Sequence, residues 1–128
     1  QQFSLSGTSN PQFIEIAGAD AAEGFISMSA FDPSNPDEAV QNFVTSYQEK
    51  VNSLPGEWAA GAYDTVYVMA DALKAAGDIR GNELTNWMKE NTEYKGITGN
   101  IAFDEFGDNQ AAKALIIQVN DGKFVVAE

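Results

Sequence analysis

Between Trp58 and Gly77 the chain reads WAAGAYDTVYVMADALKAAG, its longest segment with one unbroken hydrophobic period. Ala62, Val66, Met69, Leu73 and Ala76 recur at steps of four, three, four and three, with Ala59, Tyr63 and Ala70 beside them. That spacing predicts a helix of about five turns with one wide apolar face. Only Asp64, Thr65, Asp71 and Lys74 are strongly polar, and so many alanines suit close packing against a sheet; the periodic face is expected to be buried as the core side. Gly77 ends the helix by supplying the left-handed residue just past the last turn.

The same patterning orders the rest of the chain. Gln2 to Leu5 predict a short strand running into a Ser-Gly-Thr-Ser-Asn turn. Asn10 followed by Pro11 predicts a helix start, with Phe13, Ile14 and Ile16 on the packing side and Gly18 at the end. Residues 24–31, GFISMSAF, alternate apolar and small polar positions and predict a strand; two prolines among turn formers at 31–36 make the following loop. A second capping residue and proline, Asn35-Pro36, open a helix whose face is Val40, Phe43, Val44, Tyr47 and Val51, closed by Pro55-Gly56. Asn82 is expected to cap a helix with Leu84, Trp87 and Met88 inward. Thr98 to Phe103 predict a strand, FDEFGDN a polar turn, Ala114 to Val119 an apolar strand, Asn120-Asp121-Gly122 a hairpin turn and Phe124 to Ala127 its return. Helices and strands that alternate before a closing hairpin predict an α/β fold, without internal repeats.

At 128 residues the chain is the size of one domain, and its 44% hydrophobic and 20% charged residues suit a folded protein. Nineteen acids against seven bases leave a net charge of −12 with no basic cluster, which disfavours nucleic acid as a partner. The absence of Cys excludes disulfides and thiolate chemistry. The absence of His removes the commonest general base, the Ser-His arrangements and most zinc sites. No apolar run approaches the roughly 20 residues of a membrane helix, and the polar opening QQFSLSG is not a signal peptide, so a leader has been removed or this is an internal piece.

Few residues offer chemistry. Asp104, Glu105 and Asp108 lie close together but lack the spacing of a calcium loop, and Asp and Gly favour turns for backbone reasons; a solvated turn is the expected reading, with a hydrolytic acid pair as the remote alternative. Gly96, Gly99 and Gly107 do not form a phosphate loop, since GITGN lacks the lysine and the following helix. Ser6, Thr8 and Ser9 have no evident base to activate them. Tyr63, at the start of the central helix, reads first as a core aromatic, with a ligand contact as the lesser alternative. The residues alone thus favour binding over catalysis, with no metal or cofactor.

Several segments together resemble the type 1 periplasmic solute-binding proteins of branched-chain amino acid ABC transporters: NPQFIEIAGADAAEGF, the helix GAYDTVYVMADALKAAG, and above all YKGITGNIAFDEFGDNQ followed by ALIIQVNDGKFVV. Order and spacing match along essentially the whole chain. The clamshell domains of some amino-acid receptors look like more distant relatives, and a ligand-sensing domain of this fold is the alternative reading. Members of the family are well over twice as long, so the resemblance implies the C-terminal segment of a two-lobed, Rossmann-like clamshell. It implies 1–26 as the end of the second lobe, 27–31 and 108–112 as hinge crossings, 32–107 as part of the first lobe and 113–128 as the closing hairpin of the second.

The function implied is non-enzymatic: capture of an amino acid or similar small organic acid between two lobes, and presentation to a membrane permease for uptake. The setting implied is periplasmic or extracellular, free or as an anchored lipoprotein. The resemblance places Ser6, Gly7 and Thr8 at the cleft, with Ser6 where amino-acid-binding relatives often carry an acid for the ligand's ammonium. It also places Tyr63, at the start of the central helix, against the ligand's apolar part, and Phe31 near a crossing. Because neither lobe is complete, apolar faces should stay uncovered, and pairing with the N-terminal fragment or self-association is expected.

Overall fold

The computed structural model describes residues 2–127. A 3-10 turn at Ser6–Thr8 leads into helices α1 (Pro11–Ala17) and α2 (Ala19–Ala22). Strand β1 (Ile26–Ser29), helices α3 (Glu38–Val51), α4 (Glu57–Ala76) and α5 (Asn82–Asn91), and strands β2 (Tyr94–Gly96), β3 (Gly99–Ile101), β4 (Leu115–Asn120) and β5 (Lys123–Val126) follow. The chain forms two compact units, one of residues up to Ala60 together with those from Ala114 onward, the other Gly61–Lys113. Residues 32–60 therefore group with the first unit.

In the first unit a sheet of order β1-β4-β5 is antiparallel throughout, with Ser27 opposite Ile117 and Val119 opposite Phe124. Phe3 bridges Ile26 in parallel, so the expected N-terminal strand is a single bridge beside β1. The β4–β5 turn holds Asp121 at φ 50° and Gly122 at φ 71°, the two positive values a two-residue hairpin of this hand needs. Ala22, Phe25 and Val119 are buried with Phe13, Ile14 and Phe124 against them, and the Phe13 and Phe25 rings lie 4.5 Å apart. Ile16, expected on this packing side, is exposed. A second cluster joins Phe31 to Phe43 edge-on at 5.9 Å, with Val40 and Val44 buried nearby in α3. β1 alternates as the sequence predicts, yet its buried side carries Ser27 and Ser29, because both hydroxyls find backbone carbonyl partners.

Three helix ends differ from expectation for local hydrogen-bonding reasons. Asp37 rather than Asn35 caps α3, accepting from the Ala39 N–H, while Asn35 accepts from Asp37 in the turn before it. α3 stops at Val51 because Asn52 adopts the left-handed conformation, ahead of Pro55-Gly56. Gly81, at φ 60°, precedes α5, so Asn82 is the first helical residue and not the cap.

In the second unit β2 and β3 pair around a tight Ile97-Thr98 turn, so a hairpin replaces the single strand expected from Thr98 to Phe103. Its short first arm, Tyr-Lys-Gly, carries almost no alternation to read. The central helix corrects a larger expectation. Its buried stripe is Ala60, Asp64, Val68 and Ala72, whereas Trp58, Val66, Met69 and Leu73 on the periodic face are exposed, Val66 by 66%. The stripe holding Asp64 lies inward because the carboxylate is fully satisfied there. It is 1% exposed and accepts from the Ile97 N–H at 2.9 Å, the Thr98 N–H at 2.9 Å and the Thr98 hydroxyl at 2.6 Å. A buried carboxylate with three donors replaces its lost hydration.

Candidate ligand-binding residues

The residues proposed at the cleft belong to both units and are described in their own surroundings. In the first unit, the Leu5 carbonyl organises the Ser6–Thr8 turn. It accepts from the Ser27 hydroxyl at 3.0 Å and the Thr8 hydroxyl at 3.3 Å, and the two hydroxyls approach to 3.1 Å. Thr8 is therefore committed to holding the turn on β1. The Ser6 carbonyl accepts the Ser9 N–H at 3.0 Å and also faces the Ser9 hydroxyl. Among the described residues the half-buried Ser6 hydroxyl has no hydrogen-bond partner, which leaves it available to a ligand. Gly7 is exposed, and a Cβ there would meet nothing within 4 Å, so no packing demand explains a glycine at this position.

Phe31 is a core residue first. Its ring packs on Phe43, and the Ser29 hydroxyl accepts from its N–H at 3.1 Å and donates to its carbonyl at 2.8 Å. It also lines a largely apolar cavity of about 680 Å³ with Ile14, Leu54, Ile117 and Phe124, whose rim holds Glu15 and Lys123. Ser6, Gly7 and Thr8 do not line that cavity.

In the second unit, Tyr63 stands one helical turn before Tyr67 on α4, with ring centroids 4.7 Å apart at 42°. A hydrogen bond with Tyr67 pushes the Tyr63 phenol up to about 12, with burial and the charge of Asp64 adding to it. Tyr94, at the start of β2, is raised by burial and by the charges of Asp64 and Asp71. Tyr67 as the partner of Tyr63, and Asp64 as a buried acceptor, were the features sequence reasoning missed. Asp64 was visible as an acid near the start of an alanine-rich helix, and its receptor as the glycines bracketing Ile97-Thr98.

The acidic turn is self-contained. Asp104 accepts from the Phe106 and Asp108 N–H groups, both at 2.9 Å, and these bonds, led by that from Asp108, hold its carboxyl below the ordinary value. Lys89 donates to the Glu105 carbonyl at 2.8 Å, so it braces the backbone rather than a carboxylate. Among the described residues no three acids, histidines or cysteines are grouped to hold a metal ion.

The "Periplasmic binding protein" family model matches residues 1–123. The chain belongs to the periplasmic binding protein family. Among curated members, the Leu/Ile/Val-binding protein homolog 1 of Brucella suis is 32% identical over 109 residues, which are 84% of this chain and 28% of the relative. The leucine-, isoleucine-, valine-, threonine- and alanine-binding protein of Pseudomonas aeruginosa is 30% identical over 104 residues, 80% of this chain and 26% of the relative. Among solved structures, the branched-chain amino acid transporter substrate binding protein LivJ of Streptococcus pneumoniae, in complex with isoleucine, superposes with a TM-score of 0.84 at 27% identity. That match covers 98% of this chain and 36% of the other. The fold is therefore the α/β fold of type I periplasmic binding proteins, and the chain spans about a third or less of the length of the curated relatives it matches.

Proposed function

We propose that this chain is the C-terminal segment of an extracytoplasmic solute-binding protein that captures an amino acid or similar small organic acid between two lobes for uptake by an ABC transporter. The observation that carries the reading is the end-to-end likeness, in both fold and sequence, to an isoleucine-bound binding protein. In the complete two-lobed protein, 1–26 and 113–128 would belong to one lobe and 32–107 to the other, with crossings at 27–31 and 108–112. The ligand would meet Ser6, Gly7, Thr8 and Tyr63, with Phe31 shaping the wall behind, and closure would present the occupied form to a permease. Nothing in this scheme requires bond chemistry. The uncovered apolar face of α4 supports the incompleteness of the segment, because a contiguous exposed patch of this kind ordinarily meets a partner surface.

A hydroxyl at Ser6 cannot balance an ammonium in a water-excluded site, so the ligand's charge must be met elsewhere or be absent. Calorimetry of a two-lobed form carrying this region, against a panel of amino acids and aromatic acids, tests the reading. Saturable binding of one class, weakened at least tenfold by Tyr63→Ala, is expected. No binding across the panel, or unchanged affinity in Tyr63→Ala, would remove the ligand assignment. The 128-residue chain alone is expected to bind none of the panel, since the other walls of the site are not part of it.

A further inference from the structure

We propose that Tyr63, Tyr67 and Tyr94 form a shelf that takes a quaternary or fully alkylated ammonium group, held by ring faces over a buried negative charge. The shelf shares Tyr63 with the reading above but lies within the 61–113 unit and needs no second lobe. The rings of Tyr63 and Tyr67 are in contact on successive turns of α4, and Tyr67 remains 46% exposed. Tyr94 stands two residues before Gly96 on β2 and so on the same side of the strand, the side on which a Cβ at Gly96 would meet the Asp64 carboxyl.

The charge that distinguishes this cluster from an ordinary aromatic patch is Asp64. The three donors given to its carboxylate are neutral, two peptide N–H groups and a hydroxyl, so among the described residues its negative charge is hydrogen-bonded without a cation in salt-bridge contact. Asp71, further along the helix, reinforces the same sign and meets Lys74 in an exposed 3.7 Å contact. Ring faces are themselves negative, and a cation resting on them gains from both sources.

The chemistry also selects the kind of cation. Asp64 is sealed and its acceptors are engaged, so a metal ion or a primary ammonium would give up water without finding oxygen ligands. A tetraalkylammonium has no hydrogen bonds to lose and a greasy surface that fits ring faces.

The test is a titration of the 128-residue chain with tetramethylammonium chloride at constant ionic strength, set against tert-butyl alcohol as the uncharged isostere and read from the tyrosine ring signals by NMR. Saturable shifts at Tyr63, Tyr67 and Tyr94, with none at Tyr47, are expected for the cation and not for the alcohol. Tyr67→Leu should weaken binding about two- to fivefold, the worth of one exposed ring–cation contact, while Tyr67→Phe retains it. Absence of saturable shifts, equal shifts with the alcohol, or unchanged affinity in a folded Tyr67→Leu chain would overturn the proposal. If Tyr67→Leu does not fold, the comparison of cation with isostere on the unaltered chain decides alone. Failure of amino-acid capture by the two-lobed form would leave this result standing, so the two readings fail separately.

Discussion

Replacing Gly96 by Ala asks whether the Asp64 clasp holds the second unit together. A Cβ at position 96 would fall 2.5 Å from the carboxyl carbon of Asp64 and 2.7 Å from its Oδ1, well inside contact distance. The carboxylate cannot swing aside, because it is sealed and gives both oxygens to the Ile97-Thr98 turn. Nor can the strand retreat freely, since Gly96 pairs with Gly99 across the hairpin. Hydrogen bonds to a charged group are worth about 1.5–3 kcal/mol each, so disrupting two of the three should cost roughly 3–6 kcal/mol. That is a large share of the roughly 5–15 kcal/mol that keeps a domain folded. The sign is diagnostic: Gly96 is not among the glycines with positive φ, and at an unobstructed position of that kind Gly→Ala stabilises by about 0.4–1 kcal/mol. Urea unfolding followed by circular dichroism measures the cost, and a double-mutant cycle assigns it. In an Asp64→Ala background, where the obstruction is gone, Gly96→Ala should cost less than about 1 kcal/mol, since contacting residues are expected to be strongly non-additive. Stabilisation by Gly96→Ala in the native background, or an equal cost in both backgrounds, would refute the argument.

Three further outcomes are expected. Phe25→Ala removes the ring on which Phe13 and Val119 converge and should cost about 3–5 kcal/mol in the same unfolding assay; a cost below 1 kcal/mol would show that this cluster is not a core. Because the folded Tyr63 phenol sits near 12 against 10.0 ordinarily, its contribution is fully present below pH 10 and is lost as pH rises through 12. The unaltered chain should therefore lose more stability over that interval than Tyr63→Phe, and parallel unfolding midpoints would contradict the assignment. Light scattering should give a mass above one chain, driven by the apolar face of α4, and Val66→Lys with Leu73→Lys should return the mass to one chain; an unaltered chain already at a single-chain mass would refute it.

Much of the fold is legible in the sequence where one local signal acts alone. Asp121-Gly122 between apolar arms specifies a hairpin through the φ values it permits, and Asn10-Pro11 specifies a helix start through one cap and one missing donor. The central helix was legible as a helix but not in its orientation. Periodicity identifies which residues are apolar, while the buried side is decided by what other segments offer. Here the Ile97-Thr98 turn offers three donors, and a satisfied carboxylate displaces valine and leucine from the interior. The hairpin carrying those donors was itself hidden by the shortness of its first strand. For the candidate site, the sequence indicated the residues but not their engagements: Thr8 is spent on its own turn, Phe31 on the core, and Ser6 alone of the three keeps its hydroxyl free among the described residues.

The first unit is assembled from both ends of the chain, and this sets an order of events during synthesis. β1 pairs along its length with β4, and Gln118 donates to the Gly24 carbonyl 94 positions earlier in the chain. The second unit is contiguous, so it can mature while the opening sixty residues are still waiting. Until the β4–β5 hairpin is made, β1 is a strand with an open edge, exposed to the mispairing that distant contacts invite. Translation halted between β1 and β4 would hold that edge unprotected, making the hairpin the latch on which the yield of correctly folded chain depends.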